Sequence, residues 1–270
     1  MLPTRPILQD LRGHTTGTAL WWLGNAGWAI KSDDVLLLVD PVIARHPSGD
    51  SSLAEIGLPL VHALPLRADE LGPDDPDLVL VTHAHGDHLA PRTIPILSER
   101  TRCRFVVPTS CAARMRDLGI PDERTIPARH GQPISHKRLT ITPMKALHGH
   151  THGAVYAGAN FGDCGYLIHD GRWTILHPGD SVLLQEHLDM APPDVFLASI
   201  TEHNLWQRNT ALLANLWSPR YIVPMHYDTY AKEIFWTVGD PSAVRALLDE
   251  SVRPHYVVLP QGRGLRLGEQ

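Results

Sequence analysis

The sequence has few cysteines, no long apolar run and no basic run, and each shortage excludes a class of protein. The three cysteines are an odd number without CxxC spacing, which argues against a disulfide framework and favours reduced thiols. No stretch reaches the roughly 18 apolar residues of a transmembrane helix. Residues 1–12 lack the basic and apolar segments of a secretory signal. We therefore expect a cytoplasmic chain without a transmembrane segment.

The charge balance argues against a nucleic-acid partner. The chain carries 24 Lys and Arg against 29 Asp and Glu, a net charge of −5 with histidine neutral. Proteins that bind nucleic acids through phosphate contacts need clustered lysine and arginine, and no such cluster is present. A small-molecule substrate is the expected partner, and the sequence leaves homo-oligomer formation open.

Length and composition predict one large catalytic domain. A chain of 270 residues with 43% hydrophobic content can bury a substantial core, and no shift of composition marks a boundary. We therefore expect a single domain over residues 1–270, in which residues 1–16 form a short N-terminal extension.

Short apolar, β-branched runs between turn residues predict strands. They cover residues 19–23, 35–40, 78–81, 104–107, 139–143, 166–169, 174–177, 195–198, 221–224 and 256–259. Helices are predicted over 111–118, 210–217 and 242–252, the last with Asp240 as N-cap and Pro241 in its first turn. Two groups of strands, each followed by helices, predict an α/β fold with two facing sheets flanked by helices.

The most informative feature is the motif HxHxDH directly behind the apolar run 78–81. In a loop that follows a buried strand, the side chains of His83, His85, Asp87 and His88 are expected to converge. Imidazole and carboxylate ligands suit zinc and its first-row neighbours better than calcium or magnesium. The alternative is a polar surface loop in which several histidines occur by chance.

A single short loop leaves coordination positions open for residues from elsewhere in the fold. Three further segments repeat the layout of an apolar run followed by a possible ligand, and they end in His148, Asp180 and His226. The sequence therefore predicts a metal site assembled from four segments.

Together these motifs resemble the metallo-β-lactamase superfamily, and within it the L-ascorbate-6-phosphate lactonase-like branch of metal-dependent hydrolases. The resemblance is carried by residues 22–30, 39–41, 82–88, 164–168, 177–181 and 224–230. It implies a four-layer αββα sandwich, with two mixed β-sheets flanked by helices and the site along one edge between the sheets.

The resemblance also implies the ligands of two metal ions. His83, His85 and His148 would hold the first ion, Asp87, His88 and His226 the second, and Asp180 would bridge them. The third ligand of the first ion has an alternative, because histidines alternate at 148, 150 and 152. We prefer His148, which makes His150 and His152 candidates for the pocket wall or ordinary loop residues.

Two divalent cations that share a carboxylate predict a hydrolase. The pKa of a water between them is lowered to about 7, and the resulting hydroxide is expected to attack the substrate. Asp87 and Asp180 are the expected catalytic carboxylates. Asp40 is interpreted as a hydrogen-bond partner of a ligand imidazole, with an Asp-Pro turn as the alternative. By ligand type we expect zinc first, and manganese second because the resembling branch is associated with it.

Several functions and substrate contacts remain open at this point. The first function is hydrolysis of a small cyclic ester or amide, the second is hydrolysis of a small or lipid-like phosphodiester, and the third is non-hydrolytic metal binding. The candidate substrate residues are His150, His203, Arg208 and Tyr227. His203 and Arg208 lie in the stretch 201–209, which offers hydrogen-bond donors and a guanidinium, and Tyr227 is next to His226. The alternative is that this stretch packs and caps the next helix. The loop 45–59 is interpreted as a lid or as a surface excursion.

Overall fold

Two mixed β-sheets form the framework of the protein, and helices accompany each of them. The structure is a computed structural model in which residues 6–149, 159, 161–231 and 238–269 are described. None of the helices in these ranges is long and apolar enough to span a membrane.

The described part of the chain contains thirteen strands and six α-helices. The strands are β1 (Thr18–Gly24), β2 (Gly27–Ser32), β3 (Val35–Val39), β4 (Leu78–Leu80), β5 (Arg104–Pro108), β6 (Thr125–Ala128), β7 (Ile134–His136), β8 (Leu139–Lys145), β9 (Cys164–His169), β10 (Thr174–His177), β11 (Val195–Ser199), β12 (Tyr221–Met225) and β13 (Gly264–Arg266). The helices are α1 (Pro6–Gly13), α2 (Thr93–Arg100), α3 (Ala112–Asp117), α4 (Gln185–Asp189), α5 (Trp206–Trp217) and α6 (Pro241–Leu247). Short 3-10 turns cover Ala68–Glu70, Thr109–Cys111, Asp122–Arg124 and Arg253–His255.

The chain divides into two compact units. Unit 1 comprises Met1–Pro127, Thr229–Lys232 and Leu259–Gln270. Its sheet has the order β13-β1-β2-β3-β4-β5-β6. The pairs β13–β1, β1–β2 and β2–β3 are antiparallel, whereas β3–β4 and β4–β5 are parallel. Because β3 and β4 run in parallel, the loops that follow them leave the sheet at the same edge.

The core of unit 1 includes residues from the predicted N-terminal extension. On helix α1, Ile7, Leu8 and Leu11 join the buried apolar cluster that also contains Trp21 of β1. The indole Nε1 of Trp21 donates a hydrogen bond to Asp10 Oδ2 over 2.7 Å. Burial of three aliphatic side chains contributes up to roughly 5–8 kcal/mol of transfer free energy, so α1 is part of the folded core.

Unit 2 comprises Ala128–Asp228 and Glu233–Val258. Its sheet has the order β12-β11-β10-β9-β8-β7. Strands β7 to β10 pair antiparallel, whereas β10–β11 and β11–β12 are parallel. An antiparallel meander followed by parallel strands is the pattern of unit 1 as well, although the sequence shows no internal repeat.

The prediction of an α/β fold with two mixed sheets and flanking helices is confirmed. Nine of the ten predicted strand runs lie in strands β1, β3 to β5 and β8 to β12. The prediction at 256–259 is wrong: Tyr256 forms only an isolated bridge with Ile222, and Pro260 prevents continuation of a ladder. The single domain over residues 1–270 stays a prediction.

The helix predicted over 242–252 begins as expected but is shorter. Asp240 caps it through a hydrogen bond from the backbone N–H of Ser242. It ends at Leu247 because the side chain of Asn215 forms hydrogen bonds with the backbone at its C-terminus. Asn215 of α5 donates to the carbonyl of Leu247 (3.2 Å) and accepts from the N–H of Asp249 (3.0 Å). This tertiary contact is invisible in the local sequence pattern.

Candidate metal centre

In unit 1, the HxHxDH loop places four predicted metal-binding side chains together behind β4. The rings of His83 and His88 are buried, Asp87 is half-buried and His85 is exposed. The His83 ring centroid lies 4.0 Å from that of His88 and 4.6 Å from that of His85. The Nε2 atom of His88 lies 3.6 Å from Asp87 Oδ2. A buried cluster of imidazoles beside a carboxylate is typical of a first-row metal site.

Asp40 holds this loop by three hydrogen bonds, one of which is the predicted bond to an imidazole. It follows β3 in the left-handed backbone region (φ 42°), and its carboxylate is fully buried. Its Oδ1 accepts from the N–H of Thr82 (2.8 Å), while its Oδ2 accepts from Thr82 Oγ1 (2.6 Å) and from His88 Nδ1 (2.7 Å). Backbone strain of this kind persists where the surroundings fix it and is frequent at functional sites.

These hydrogen bonds determine which nitrogen of each imidazole carries hydrogen. His88 donates its Nδ1–H to Asp40, which leaves the Nε2 lone pair available to a metal ion. The hydroxyl hydrogen of Thr82 points to the same carboxylate. Its oxygen, 3.0 Å from His83 Nδ1, therefore accepts from that ring and leaves Nε2 of His83 as a ligand atom too.

Asn25 contacts the HxHxDH loop, although no individual role was assigned to this residue from the sequence. Its Nδ2 donates to the carbonyl oxygen of Asp87 (3.1 Å) and to Asp87 Oδ2 (3.2 Å). Its own N–H donates to Thr229 Oγ1 over 2.6 Å. Asn25 lies in the turn between β1 and β2 with a φ of 50°, a conformation that asparagine adopts more readily than most residues. Its place in the resembling segment 22–30 was the available signal.

In unit 2, three imidazoles surround one oxygen of Asp180. The distances from Asp180 Oδ2 are 3.1 Å to His203 Nε2, 3.3 Å to His226 Nε2 and 3.6 Å to His148 Nε2. All four residues are buried, with at most 4% of any of them exposed. The structure thus brings together the predicted ligands His148, Asp180 and His226, and adds His203, which the sequence suggested only as a substrate residue.

Two hydrogen bonds between their chain neighbours fix the positions of His148 and Asp180. The segment after Asp180 pairs with the segment before His148: Ser181 Oγ accepts from Leu147 N–H (3.0 Å), and Val182 N–H donates to the Leu147 carbonyl (3.0 Å). Each ligand therefore constrains the other through the backbone.

Gly165 of β9 permits the close passage of the chain that leads to Asp180. A Cβ at this position would lie 2.7 Å from the carbonyl oxygen of Pro178 and 2.8 Å from that of His177. Backbone atoms cannot yield as a flexible side chain would, so only glycine fits here. This requirement explains the glycine in the resembling segment 164–168.

His226 and His203 are presented by the ends of parallel strands. His226 directly follows β12 and has a φ of 66°, again in the left-handed region. His203 follows β11 in a turn in which the Asn204 side chain donates to Ser199 Oγ and to Thr201 Oγ1 (2.5 Å and 2.9 Å). The ring of His203 stacks on that of His148, with centroids 5.5 Å apart and planes 7° apart.

The donor sets in both units fit a divalent first-row metal ion. Each consists of imidazole nitrogens with a carboxylate, and in unit 2 the ligand atoms of His148, Asp180 and His203 lie within 4.8 Å of one another. Imidazole-rich sets of this type suit first-row divalent metals better than they suit calcium.

The remaining predicted residues have varied positions. His150 and His152 lie outside the described residues. Arg208 is exposed on α5. Tyr227 is buried beside His226, and burial raises the pKa of its hydroxyl well above the ordinary value.

The loop 45–59 is fastened to the body of unit 1. The buried Glu55 accepts hydrogen bonds from the N–H groups of Arg92 (2.7 Å), Thr93 (2.9 Å) and Ala44 (3.3 Å), and from the hydroxyl of Thr93. Residue Leu60, just beyond the loop, pairs with Tyr230. These contacts attach the loop to the start of α2, which favours the interpretation as a fixed surface excursion over a lid.

Comparison with known proteins shows the family to which the chain belongs. The family model of the beta-lactamase superfamily domain matches residues 19–226. The chain is 25% identical over 253 residues to a UPF0173 metal-dependent hydrolase of Methanosarcina mazei, covering 91% of this chain and 97% of the relative. It is 28% identical to one of Pyrococcus furiosus, covering 91% and 98%. The fold is shared with an isothiocyanate hydrolase from Delia radicum gut bacteria, at TM-score 0.72 and 18% identity over 92% and 99% of the two chains. The chain belongs to the beta-lactamase superfamily.

Proposed function

We propose that the protein is a metal-dependent hydrolase that uses two divalent ions to open a small cyclic ester or amide. The observation that carries this proposal is the donor set: the HxHxDH loop has its imidazole tautomers set by Asp40 and Thr82, and Asp180 is surrounded by imidazoles. The curated relatives from Methanosarcina mazei and Pyrococcus furiosus are named metal-dependent hydrolases, which supports the same reaction class.

The proposed ligands are those implied by the resemblance. They are His83, His85, Asp87, His88, His148, Asp180 and His226. We propose zinc as the first choice of metal and manganese as the second. We also propose that residues 1–270 act as one catalytic domain in the cytoplasm.

Divalent cations in such a set supply hydroxide at neutral pH and take up the charge that develops on a carbonyl oxygen. The protein residues provide position. Asp40 and Thr82 keep the Nε2 lone pairs of His83 and His88 exposed to the ligand position. Asn25 holds the carboxylate of Asp87, which can then accept a hydrogen bond from the attacking water. Asp180 would be the carboxylate shared by both ions.

The choice of a cyclic ester or amide rests on the resemblance to lactonase-like hydrolases, carried by residues 22–30, 164–168 and 224–230. The structure gives two of these segments a physical role: Asn25 contacts Asp87, and Gly165 permits the path toward Asp180. The reaction class follows from the ligands, but the substrate is decided by other parts of the site.

The test is metal analysis of the purified chain, combined with a hydrolysis screen with and without added zinc or manganese. The screen contains lactones, lactams and bis-p-nitrophenyl phosphate. We expect close to two metal ions per chain and turnover of a lactone or lactam. An Asp180→Ala variant should lose the bridge and at least one ion.

The outcomes separate the proposals. Turnover of the phosphodiester alone would replace the proposed substrate class but keep the metal-dependent hydrolase. Full metal content and full activity in Asp180→Ala would refute the dinuclear site. Absence of bound metal and of activity under every supplementation would refute the proposed function.

A further inference from the structure

His203 lies beside Asp180 in unit 2, next to two histidines that are proposed metal ligands. Its Nε2 atom lies 3.1 Å from Asp180 Oδ2, nearer than the corresponding atoms of His226 and His148. The resemblance assigns it no role as a ligand, and the sequence suggested a substrate contact. Only 4% of its surface is exposed.

The distances around Asp180 match those between ligands of one ion. Two ligands bound tetrahedrally at the usual zinc distance of 2.0–2.1 Å are separated by about 3.3 Å, and opposite ligands at that distance by about 4.2 Å. The three distances from Asp180 Oδ2 range from 3.1 to 3.6 Å. The donor atoms of His148, Asp180 and His203 all lie within 4.8 Å of one another. This bound exceeds the span of opposite ligands by about 0.6 Å, so movements of about that size or less bring the three atoms within reach of one ion.

The loop after β11 is built to hold His203 in this place. Asn204 bonds back to the side chains of Ser199 and Thr201, and its N–H donates to the Thr201 carbonyl over 3.1 Å. The imidazole of His203 is stacked nearly parallel to that of His148. A histidine that only filled space would not need its Nε2 directed at a carboxylate that two other imidazoles share.

We propose that His203 is a further metal ligand, which binds the same divalent ion as His148 and Asp180. This inference rests on the proposed function, because it extends the ligand set of that site. It differs from a role in which His203 only donates a hydrogen bond to Asp180: loss of a ligand changes the coordination number of the bound ion, whereas loss of a hydrogen bond to a ligand leaves that number unchanged.

The test uses cobalt(II) as the probe, because its visible absorption depends on the number and type of its ligands. The metal-free full-length chain is titrated with cobalt in wild-type, His203→Ala and His203→Gln forms. The Gln variant retains a polar side chain of similar length should the Ala variant not fold. The control is His187→Gln, which alters a buried histidine of unit 2 that accepts a hydrogen bond from Leu184 N–H instead of facing Asp180. Circular dichroism verifies the fold of each metal-free chain.

We expect both His203 variants to bind cobalt at least tenfold more weakly than wild type and to show an altered visible spectrum. The control should keep both the wild-type affinity and the wild-type spectrum. An unaltered spectrum in a folded His203 variant would overturn the proposal, whether or not the affinity falls. Failure of the wild-type chain to bind cobalt would refute the proposed function itself, an outcome that differs from failure of the His203 assignment alone.

Discussion

Replacing Asp40 by asparagine tests whether one buried carboxylate sets the ligand atoms of the HxHxDH loop. The carboxylate accepts three hydrogen bonds of 2.6–2.8 Å, two from Thr82 and one from His88. Asparagine keeps the shape but has only one acceptor oxygen. If its amide nitrogen replaces Oδ2, it donates to His88 Nδ1, so that Nε2 of His88 carries the hydrogen and loses its lone pair. If the amide nitrogen replaces Oδ1 instead, it faces the backbone N–H of Thr82, and that N–H loses its acceptor.

Either orientation has a cost that can be estimated. Loss of a group that orients a metal-binding histidine typically weakens metal affinity 10–100-fold, which corresponds to about 1.4–2.7 kcal/mol. A buried N–H left without an acceptor costs about 1–3 kcal/mol of folding free energy. We therefore expect weaker metal binding, lower stability of the metal-free chain, or both.

The assay is competition for zinc between the protein and a chromophoric chelator, together with urea unfolding of the metal-free chain. The matched control is Asp77→Asn, because Asp77 precedes the other end of β4 and its Oδ2 accepts a hydrogen bond from Leu36 N–H (2.9 Å). The control should retain wild-type zinc affinity. A folded Asp40→Asn variant that keeps both a zinc affinity within threefold of wild type and the wild-type stability in urea would refute the argument about this carboxylate.

Three further predictions concern stability. In Glu55→Gln, an amide NH2 group faces groups that now donate hydrogen bonds to Glu55, including those of Thr93. The free energy of unfolding should therefore fall by roughly 2–5 kcal/mol in urea titration, and a change below about 1 kcal/mol would contradict this prediction. Gly165→Ala brings a Cβ against the Pro178 carbonyl and should lower the melting temperature and the zinc affinity together, so an unchanged affinity would be evidence against this contact. Burial lowers the pKa of His187 from 6.5 to about 4. Folding therefore favours its neutral form, and the free energy of unfolding should fall as pH is lowered from about 6.5 toward 4, by up to about 1.4 kcal/mol per pH unit. His187→Gln should reduce this dependence of stability on pH. Equal slopes in the wild-type and variant proteins would refute the prediction.

Most strands were predictable because their signal is local. The runs 35–40, 78–81 and 174–177 are short, apolar and bounded by turn residues, and they became β3, β4 and β10. Strand β2 was not predicted, although all its residues except Lys31 are buried. Helix α6 ended early because Asn215, far away in sequence, binds its last carbonyl.

The sequence by itself determined the family, the mixed α/β fold and most candidate ligands, because HxHxDH and the strand-then-ligand segments are local patterns. The tertiary structure alone showed which atoms meet. In the folded chain, Asn25 contacts Asp87, Asp40 contacts His88 and His203 contacts Asp180. The partners are separated by 23 to 62 residues in the sequence. Sequence patterns specify which side chains are buried and which backbone shape they favour. The pairing of distant polar groups depends on how strands are ordered in each sheet, and that order exists only once the chain has folded.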